Sequence, residues 1–158
     1  MKIIYDNVSS DYLYPLNSKT DLDVFREQVD DQVLEKILKI RFGCNWKTTQ
    51  EARLVQRGKN YDIRINFSLK DYKSPILSDK KDWIRTIEKF GGVLDPPRNL
   101  VSWSIANAKR YSLFLLFHEV GHIAYYIKYF DGRHANNKGS SVEERWCEKY
   151  ALDVMNKI

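Results

Sequence analysis

Apolar residues recur at spacings of three and four in the segment DLDVFREQVDDQVLEKILKI, Asp21–Ile40. This is the period of an α-helix that buries one face. Acidic side chains begin the segment and Lys39 and Arg41 lie at its end, which matches the helix dipole, while Gly43 is a suitable stop. The pattern predicts one helix over Asp21–Ile40 that covers the core.

The period then changes to two. In YDIRINFSL, residues 61–69, apolar and polar residues alternate, which is typical of a strand with one buried face. The preceding EARLVQ, residues 51–56, is expected to pair with it as a hairpin across RGKN. These segments predict a small antiparallel sheet.

The rest of the chain reads as short elements followed by helices. A short helix is predicted over Asp79–Phe90, a loop at LDPPRN because of its paired prolines, and a short strand at NLVSWSI, residues 99–105. Thereafter the chain is expected to be helical to its end, except for the polar stretch DGRHANNKGSS. The predicted fold is one α+β domain over residues 1–158, with an N-terminal helix and strands in 1–98 and the functional core in 99–158.

Composition narrows the class of protein. The chain is 43% hydrophobic and 30% charged, which excludes a disordered or fibrous protein. Its two cysteines, Cys44 and Cys147, are too few for a disulfide framework, and the N-terminus lacks the features of a secretory signal, so we expect a cytoplasmic protein. The apolar run Tyr111–Ile127 is short for a bilayer span and is interrupted by His118, Glu119 and His122, so no membrane association is predicted.

The net charge of +5 is unevenly distributed. Residues 36–64 contain eight basic residues against only Glu51 and Asp62. This excess can attract an anionic partner such as nucleic acid. The alternative is a solvated basic face, which is favoured because no nucleic-acid motif accompanies the charge.

The motif 118-HEVGH-122 lies within the apolar run FLLFHEVGHIAYY. Two of the chain's three histidines, His118 and His122, are four residues apart, which on a helix places them on one face about 6 Å apart, close enough to bind one ion. Glu119 lies about 100° round the helix and can reach a water on that ion. The spacing predicts a Zn²⁺ site with Glu119 as the general base of peptide-bond hydrolysis. The alternative is two core histidines with a satisfied glutamate between them.

Catalytic zinc usually has three protein ligands. On a helical wheel of the last helix, residues 141–158, Glu144 and Glu148 fall inside the apolar stripe. We expect Glu144 to bind the metal and Glu148 to accept the spare N–H of a zinc-bound histidine. His134 follows the helix that carries His118 and His122, and it is the alternative third ligand. If it does not bind the metal, it is the first candidate for stabilising an oxyanion.

Three other positions bear on the site. Ser-x-x-Glu is a capping box, available here as Ser140 with Glu143 or as Ser141 with Glu144, and only the first leaves Glu144 free for a metal. Gly121 costs a helix about 1 kcal/mol relative to Ala, which indicates that another segment packs closely against it. NLVSWSI is a candidate edge strand for receiving an extended peptide.

An H-E-x-x-H helix followed by a helix of the form E-x-x-A-(D/N)-x-F-A resembles the ImmA/IrrE-type metallopeptidases, which have a gluzincin-like layout. In this chain the two motifs read HEVGH and 144-ERWCEKYA-151. Position by position, the resemblance implies that His118 and His122 are ligands, Glu119 is the general base and Glu144 is the third ligand. The implied fold is a minimal zincin-like domain.

The resemblance covers about Ala106 to Met155, with two departures. Cys147 stands where Ala is usual, and Glu148 where Asp or Asn is usual. Known members include proteins that cut a partner transcriptional repressor, so the resemblance implies a protein or peptide substrate. The alternative function is a catalytically inactive zincin-like binding module that uses residues 36–64 to bind nucleic acid or an acidic protein.

Overall fold

The structure, a computed structural model, describes residues 1–6, 9–44, 46, 50–132 and 140–158. These residues form two sheets packed against helices, which confirms the α+β class. The elements in chain order are β1 (Lys2–Tyr5), β2 (Tyr12–Leu13), α1 (Lys19–Gln28), α2 (Asp31–Leu34), β3 (Ile37–Gly43), β4 (Ala52–Arg57), β5 (Asn60–Asn66), β6 (Leu69–Lys70), β7 (Lys73–Pro75), α3 (Lys81–Lys89), β8 (Val93–Asp95), β9 (Leu100–Ser102), α4 (Ile105–Phe130) and α5 (Ser141–Met155).

The first sheet has the strand order β1-β3-β5-β4. Strands β4 and β5 form the predicted antiparallel hairpin, with Leu54 opposite Ile63 and Gly58 in the turn at φ +62°. Strand β3, however, pairs in parallel with both β1 and β5. The sheet is therefore mixed, and the prediction of a purely antiparallel sheet is wrong here.

The prediction of one helix over Asp21–Ile40 is also wrong. Helix α1 begins after Ser18, whose hydroxyl accepts a hydrogen bond from the Asp21 N–H at 3.2 Å, and it ends before the extended residue Val29. The chain then makes the short helix α2 and enters β3 at Ile37. A register shift between Ile37 and Lys39 turns both Ile37 and Ile40 inward, so a bulged strand reproduces a helical spacing of three.

The second sheet has the order β2-β6-β7-β9-β8, and its pairs are antiparallel. The predicted strand in NLVSWSI is present as β9, but β9 lies between β7 and β8, so it is not an edge strand. Its neighbour Trp103 is buried in the core and donates to the Ser74 hydroxyl at 2.9 Å. Within LDPPRN, Leu94 and Asp95 belong to β8, Pro96–Arg98 form a short 3-10 helix, and Asn99 is a turn residue at φ 57°.

Helix α4 is the central element of the fold. It packs against the inner face of β4 and β5 and, along much of its length, against α5. Ser104 caps its start by accepting from the Asn107 N–H at 3.1 Å, and Asp131 ends it at φ 52°. Within the described ranges, no helix combines the length and hydropathy that a membrane crossing requires.

The two long helices approach closely at Gly121, as predicted. A Cβ built on Gly121 would lie 3.1 Å from the Cα and 3.3 Å from the carbonyl oxygen of Cys147. Cys147 is fully buried, and its thiol has a pKa raised by burial and then by the charges of Glu144, Glu143 and Glu119. This contact brings the start of α5 over the middle of α4.

Candidate metal centre

The two histidines and the glutamate of the H-E-x-x-H motif lie in the middle of α4. Glu119 and His122 are buried and His118 is partly exposed. One donor atom from each of the three residues lies within 4.8 Å of those from the other two. This group can therefore hold a metal ion.

Helix α5 brings Glu144 against both histidines. Its Oε2 lies 3.1 Å from Nε2 of His118, and its Oε1 lies 3.6 Å from Nε2 of His122. In tetrahedral coordination with bonds of 2.0–2.1 Å, neighbouring ligand atoms are about 3.4 Å apart. The two separations of Glu144 from the histidine nitrogens are therefore compatible with the binding of one metal ion by these three side chains.

Electrostatics at the centre favour a cation. Burial by itself lowers the pKa of His118, but the hydrogen bond with Glu144 and the charges of Glu119, Glu144 and Glu148 together raise it above its ordinary value. The pKa of Glu144 is lowered, first by its hydrogen bond with His118. Carboxylates gathered around imidazoles in a largely buried place are an environment that a divalent cation stabilises.

Glu143 supports His122 from the side away from Glu144. This glutamate is only 1% exposed, and its Oε1 lies 2.6 Å from Nδ1 of His122 and accepts a hydrogen bond from the Tyr126 hydroxyl at 2.5 Å. Since the carboxylate is an acceptor, Nδ1 of His122 is the donor of this contact, and Nε2 is the nitrogen that faces Glu144. The sequence named Tyr126 only as a further candidate for stabilising an oxyanion and Glu143 only as a capping residue, so their support of His122 was not predicted.

The predicted place of Glu148 needs correction. Glu148 is exposed, because the buried stripe of α5 runs through Glu143, Cys147 and Ala151 and not through Glu144 and Glu148. The helical wheel was therefore centred on Glu144, whereas the buried face of α5 is centred one residue earlier, on Glu143. Glu143 makes the buried contact with His122 that was predicted for Glu148, while the charge of Glu148 still acts on His118.

The start of α5 explains this rotation. The Ser140 hydroxyl accepts a hydrogen bond from the Glu143 N–H at 3.2 Å, which is the first of the two capping registers. The Glu143 side chain is directed to His122 and Tyr126, and Glu144 on the next residue faces the histidine pair. A signal for Glu143 was present in the sequence: it is the glutamate that this register places three residues after the cap.

A cleft of about 620 Å³ opens beside the histidines. One wall is strand β4, the edge strand of the first sheet, and the other is formed by Glu119, His122, Tyr126 and Glu144. The strand next to the site is thus β4 and not the predicted NLVSWSI. His134 lies outside the described residues, so its predicted roles stay predictions.

The chain matches no protein-family model, no curated protein and no solved structure. Membership of the ImmA/IrrE-type family therefore stays a prediction that rests on HEVGH and 144-ERWCEKYA-151. The functional assignment depends on the geometry of His118, His122 and Glu144 and on the cleft beside them.

Proposed function

We propose that this protein is a zinc metallopeptidase of the ImmA/IrrE type that hydrolyses a peptide bond in a protein substrate. The observation that carries the proposal is the position of Glu144, whose two carboxylate oxygens lie 3.1 Å and 3.6 Å from Nε2 of His118 and His122. Two imidazoles and one carboxylate form the ligand set of many hydrolytic zinc sites, which keep the fourth position open for water or substrate.

His118, His122 and Glu144 would hold the ion. When bound, zinc acts as a Lewis acid that polarises a carbonyl group and makes a water molecule acidic near neutral pH. Glu143 orients the ring of His122 through Nδ1, so that Nε2 is the nitrogen available to the ion. The hydroxyl of Tyr126 holds the Glu143 carboxylate in place.

Glu119 is the general base of this proposal. It lies one residue after His118 and contributes to the wall of the cleft, where its carboxylate can accept a proton from the attacking water. The same carboxyl group can then donate that proton to the leaving amine. Loss of this group should stop turnover without removing a metal ligand.

A polypeptide is the substrate that the cleft fits best. Strand β4 pairs with β5 on one side and lines the cleft on the other. An extended peptide can pair with such an edge by β-addition, which places its backbone beside Glu119 and His122. The unpaired backbone groups of an edge strand are a general site for binding another chain.

Metal content of untagged protein, measured by mass spectrometry, tests the ligand set. Wild type is expected to contain about one zinc per chain, whereas His122→Ala and Glu144→Ala should lose it and Glu148→Ala, an exposed change on the same helix, should keep it. Glu119→Gln should keep zinc and lose hydrolysis of any substrate that wild type cuts. Wild type that takes up no zinc even when zinc is added would refute the proposal.

A further inference from the structure

Three arginines form a row on the outer face of the first sheet. Arg41 of β3 is opposite Arg64 of β5, and Arg64 is opposite Arg53 of β4. Neighbouring strands are about 4.8 Å apart, and directly paired residues share a face of the sheet. Three like charges side by side destabilise a sheet unless anions compensate them.

Acidic residues compensate only part of this face. Asp6 forms ion pairs with Arg41 and, at 3.2 Å, with Arg64. Asp62 pairs with Lys39 at 3.1 Å and with Arg57 at 3.0 Å.

Arg53 differs from these cations. It is exposed, and among the residues that the structure describes it makes no ion pair. It also belongs to the edge strand that forms one wall of the cleft. The row therefore ends, at the edge where a peptide would add, on a cation that forms no ion pair with any described residue.

A peptide strand added to β4 would extend this row by one position. Its side chains would alternate between the cleft and the outer face. On the outer face of β4 lie Arg53, Val55 and Arg57, two residues apart from one another. The outward side chains of the peptide would therefore meet Arg53 and Arg57, with Val55 between them.

We propose that the substrate segment that pairs with β4 is acidic and places Asp or Glu side chains beside Arg53 and Arg57. This inference rests on the proposed function, because it takes the occupant of the cleft to be an extended polypeptide. Guanidinium and carboxylate groups form charge-assisted, often bidentate hydrogen bonds. Such pairs would fix the register of the peptide and hence which peptide bond lies beside Glu119.

An acidic peptide fits this surface better than nucleic acid does. Asp6 and Asp62 already neutralise much of the face, whereas nucleic-acid affinity comes mainly from many uncompensated cations on phosphates. The edge of β4 also offers alternating N–H and C=O groups, which a polypeptide strand can pair in a regular ladder. Arg53 and a sheet edge that pairs with no other described strand thus belong to the same strand, β4.

Binding of three labelled peptides to zinc-loaded Glu119→Gln protein tests the inference without turnover. Each peptide has eight residues in which Thr alternates with Glu, Gln or Lys. When the peptide is extended, all its Glu, Gln or Lys side chains therefore lie on one face and all its Thr side chains on the other. By fluorescence anisotropy at low salt, the Glu peptide is expected to bind about fivefold more tightly than the Gln peptide.

Substitutions of Arg53 should remove or invert this preference. Arg53→Gln is expected to remove most of it, because the other partner, Arg57, is already paired with Asp62. Arg53→Glu is expected to favour the Lys peptide instead. Arg98→Gln is the matched control, because Arg98 is an exposed arginine beside the second sheet and its loss changes the net charge equally. Circular dichroism of each variant establishes that the fold is retained.

Three results would overturn the inference. The first is equal affinity for the Glu and Gln peptides, and the second is an equal effect of Arg98→Gln and Arg53→Gln. The third is tighter binding of an eight-nucleotide single strand than of the Glu peptide, with dependence on Arg53, which would assign the face to nucleic acid.

Wild type assayed in parallel separates this inference from the proposed function. Preferential binding of the Glu peptide without cleavage of any peptide counts against the peptidase alone. Cleavage without a charge preference counts against the acidic segment alone.

Discussion

Two buried carboxylates of this protein have similar surroundings and different consequences. Glu143 of α5 accepts a hydrogen bond from Tyr126 of α4 and contacts His122. Glu51 lies just before β4. It accepts one hydrogen bond from Tyr111, which is also on α4, and another from the Trp83 indole at 3.2 Å. Both glutamates are thus held by a tyrosine and by one ring N–H.

The two carboxylates differ in what the ring of their nitrogen partner contacts on its other side. The second nitrogen of His122 faces Glu144 and the candidate metal position, so the contacts of Glu143 continue into the cleft. Trp83 has no second nitrogen, and Oε1 of Glu51 is buried without a hydrogen-bond partner among the described residues. Burial raises the pKa of Glu51 to about 7, even though its bonds from Tyr111 and Trp83 act in the opposite direction. A buried carboxylate therefore indicates a functional site only when its hydrogen-bond partners also contact that site.

The largest effect is expected at Glu51. Its pKa is about 7 in the folded protein and ordinarily 4.5, so the folded state holds the proton more tightly and stability falls as pH rises between these values. Glu51→Gln removes this loss. Relative to wild type, the free energy of unfolding of the variant should rise by about 3 kcal/mol between pH 4 and pH 8.

Urea unfolding of metal-free protein at the two pH values measures this difference. Glu88→Gln serves as the control, since Glu88 is exposed on α3 and its variant should follow wild type at both pH values. A difference between Glu51→Gln and wild type that does not change with pH would show that folding does not raise the pKa of Glu51.

The next effect is expected at Glu143. Glu143→Gln removes the charged acceptor of the His122 Nδ1 proton, and outer contacts of this kind typically change metal affinity by about 10- to 100-fold. We expect zinc affinity, measured by competition with a chromogenic chelator, to fall within that range. An unchanged zinc affinity would mean that the contact between Glu143 and His122 is only structural.

A smaller effect is expected at the contact between the helices. Gly121→Ala improves helix propensity by about 1 kcal/mol, but its Cβ would meet backbone atoms of Cys147, and overpacking typically costs about 1–3 kcal/mol. We expect a net loss of about 1 kcal/mol in unfolding experiments, together with weaker zinc binding because α5 carries Glu144. A variant of higher stability and normal zinc affinity would show that α5 can move away freely.

The smallest effects distinguish the two tyrosines. Tyr126→Phe and Tyr111→Phe each remove one hydroxyl donor from a buried carboxylate, at a typical cost of about 1 kcal/mol. Only Tyr126→Phe should also weaken zinc binding, by about threefold. Isothermal titration of both variants tests this, and a change of zinc affinity in Tyr111→Phe would remove the distinction between the two regions.

Local patterns in the sequence predicted the parts of this fold that depend on local spacing. The hairpin of β4 and β5, the strand β9 and the helix that carries HEVGH follow from residue periodicity. The approach of Glu144 to His118 and His122 followed from metal chemistry, because a carboxylate facing an apolar helix needs a cation. That approach is a contact between helices, and its role as a ligand remains the proposal.

The predictions were wrong where the structure depends on the pairing of strands far apart in the sequence or on a shift of one residue. A bulge gave Ile37 and Ile40 a helical spacing inside a strand, and the parallel partners of that strand are not visible in its sequence. The order of strands in the second sheet is likewise a long-range property, so β9 was taken for an edge. The buried face of α5 was misplaced by one position, which was enough to exchange Glu143 and Glu148.

The cap at Ser140 has a consequence for how the chain can vary. Because one hydroxyl accepting from the Glu143 N–H sets where α5 begins, the rotation of that helix is encoded within four residues. The buried stripe of α5 fixes the same rotation independently, because Cys147 and Ala151 lie on the face that carries Glu143. A helix turned by about 100°, so that Glu144 took the place of Glu143, would also move Cys147 off its contact with Gly121. A substitution of Ser140 alone should therefore weaken the first turn of α5 without exchanging the two carboxylates.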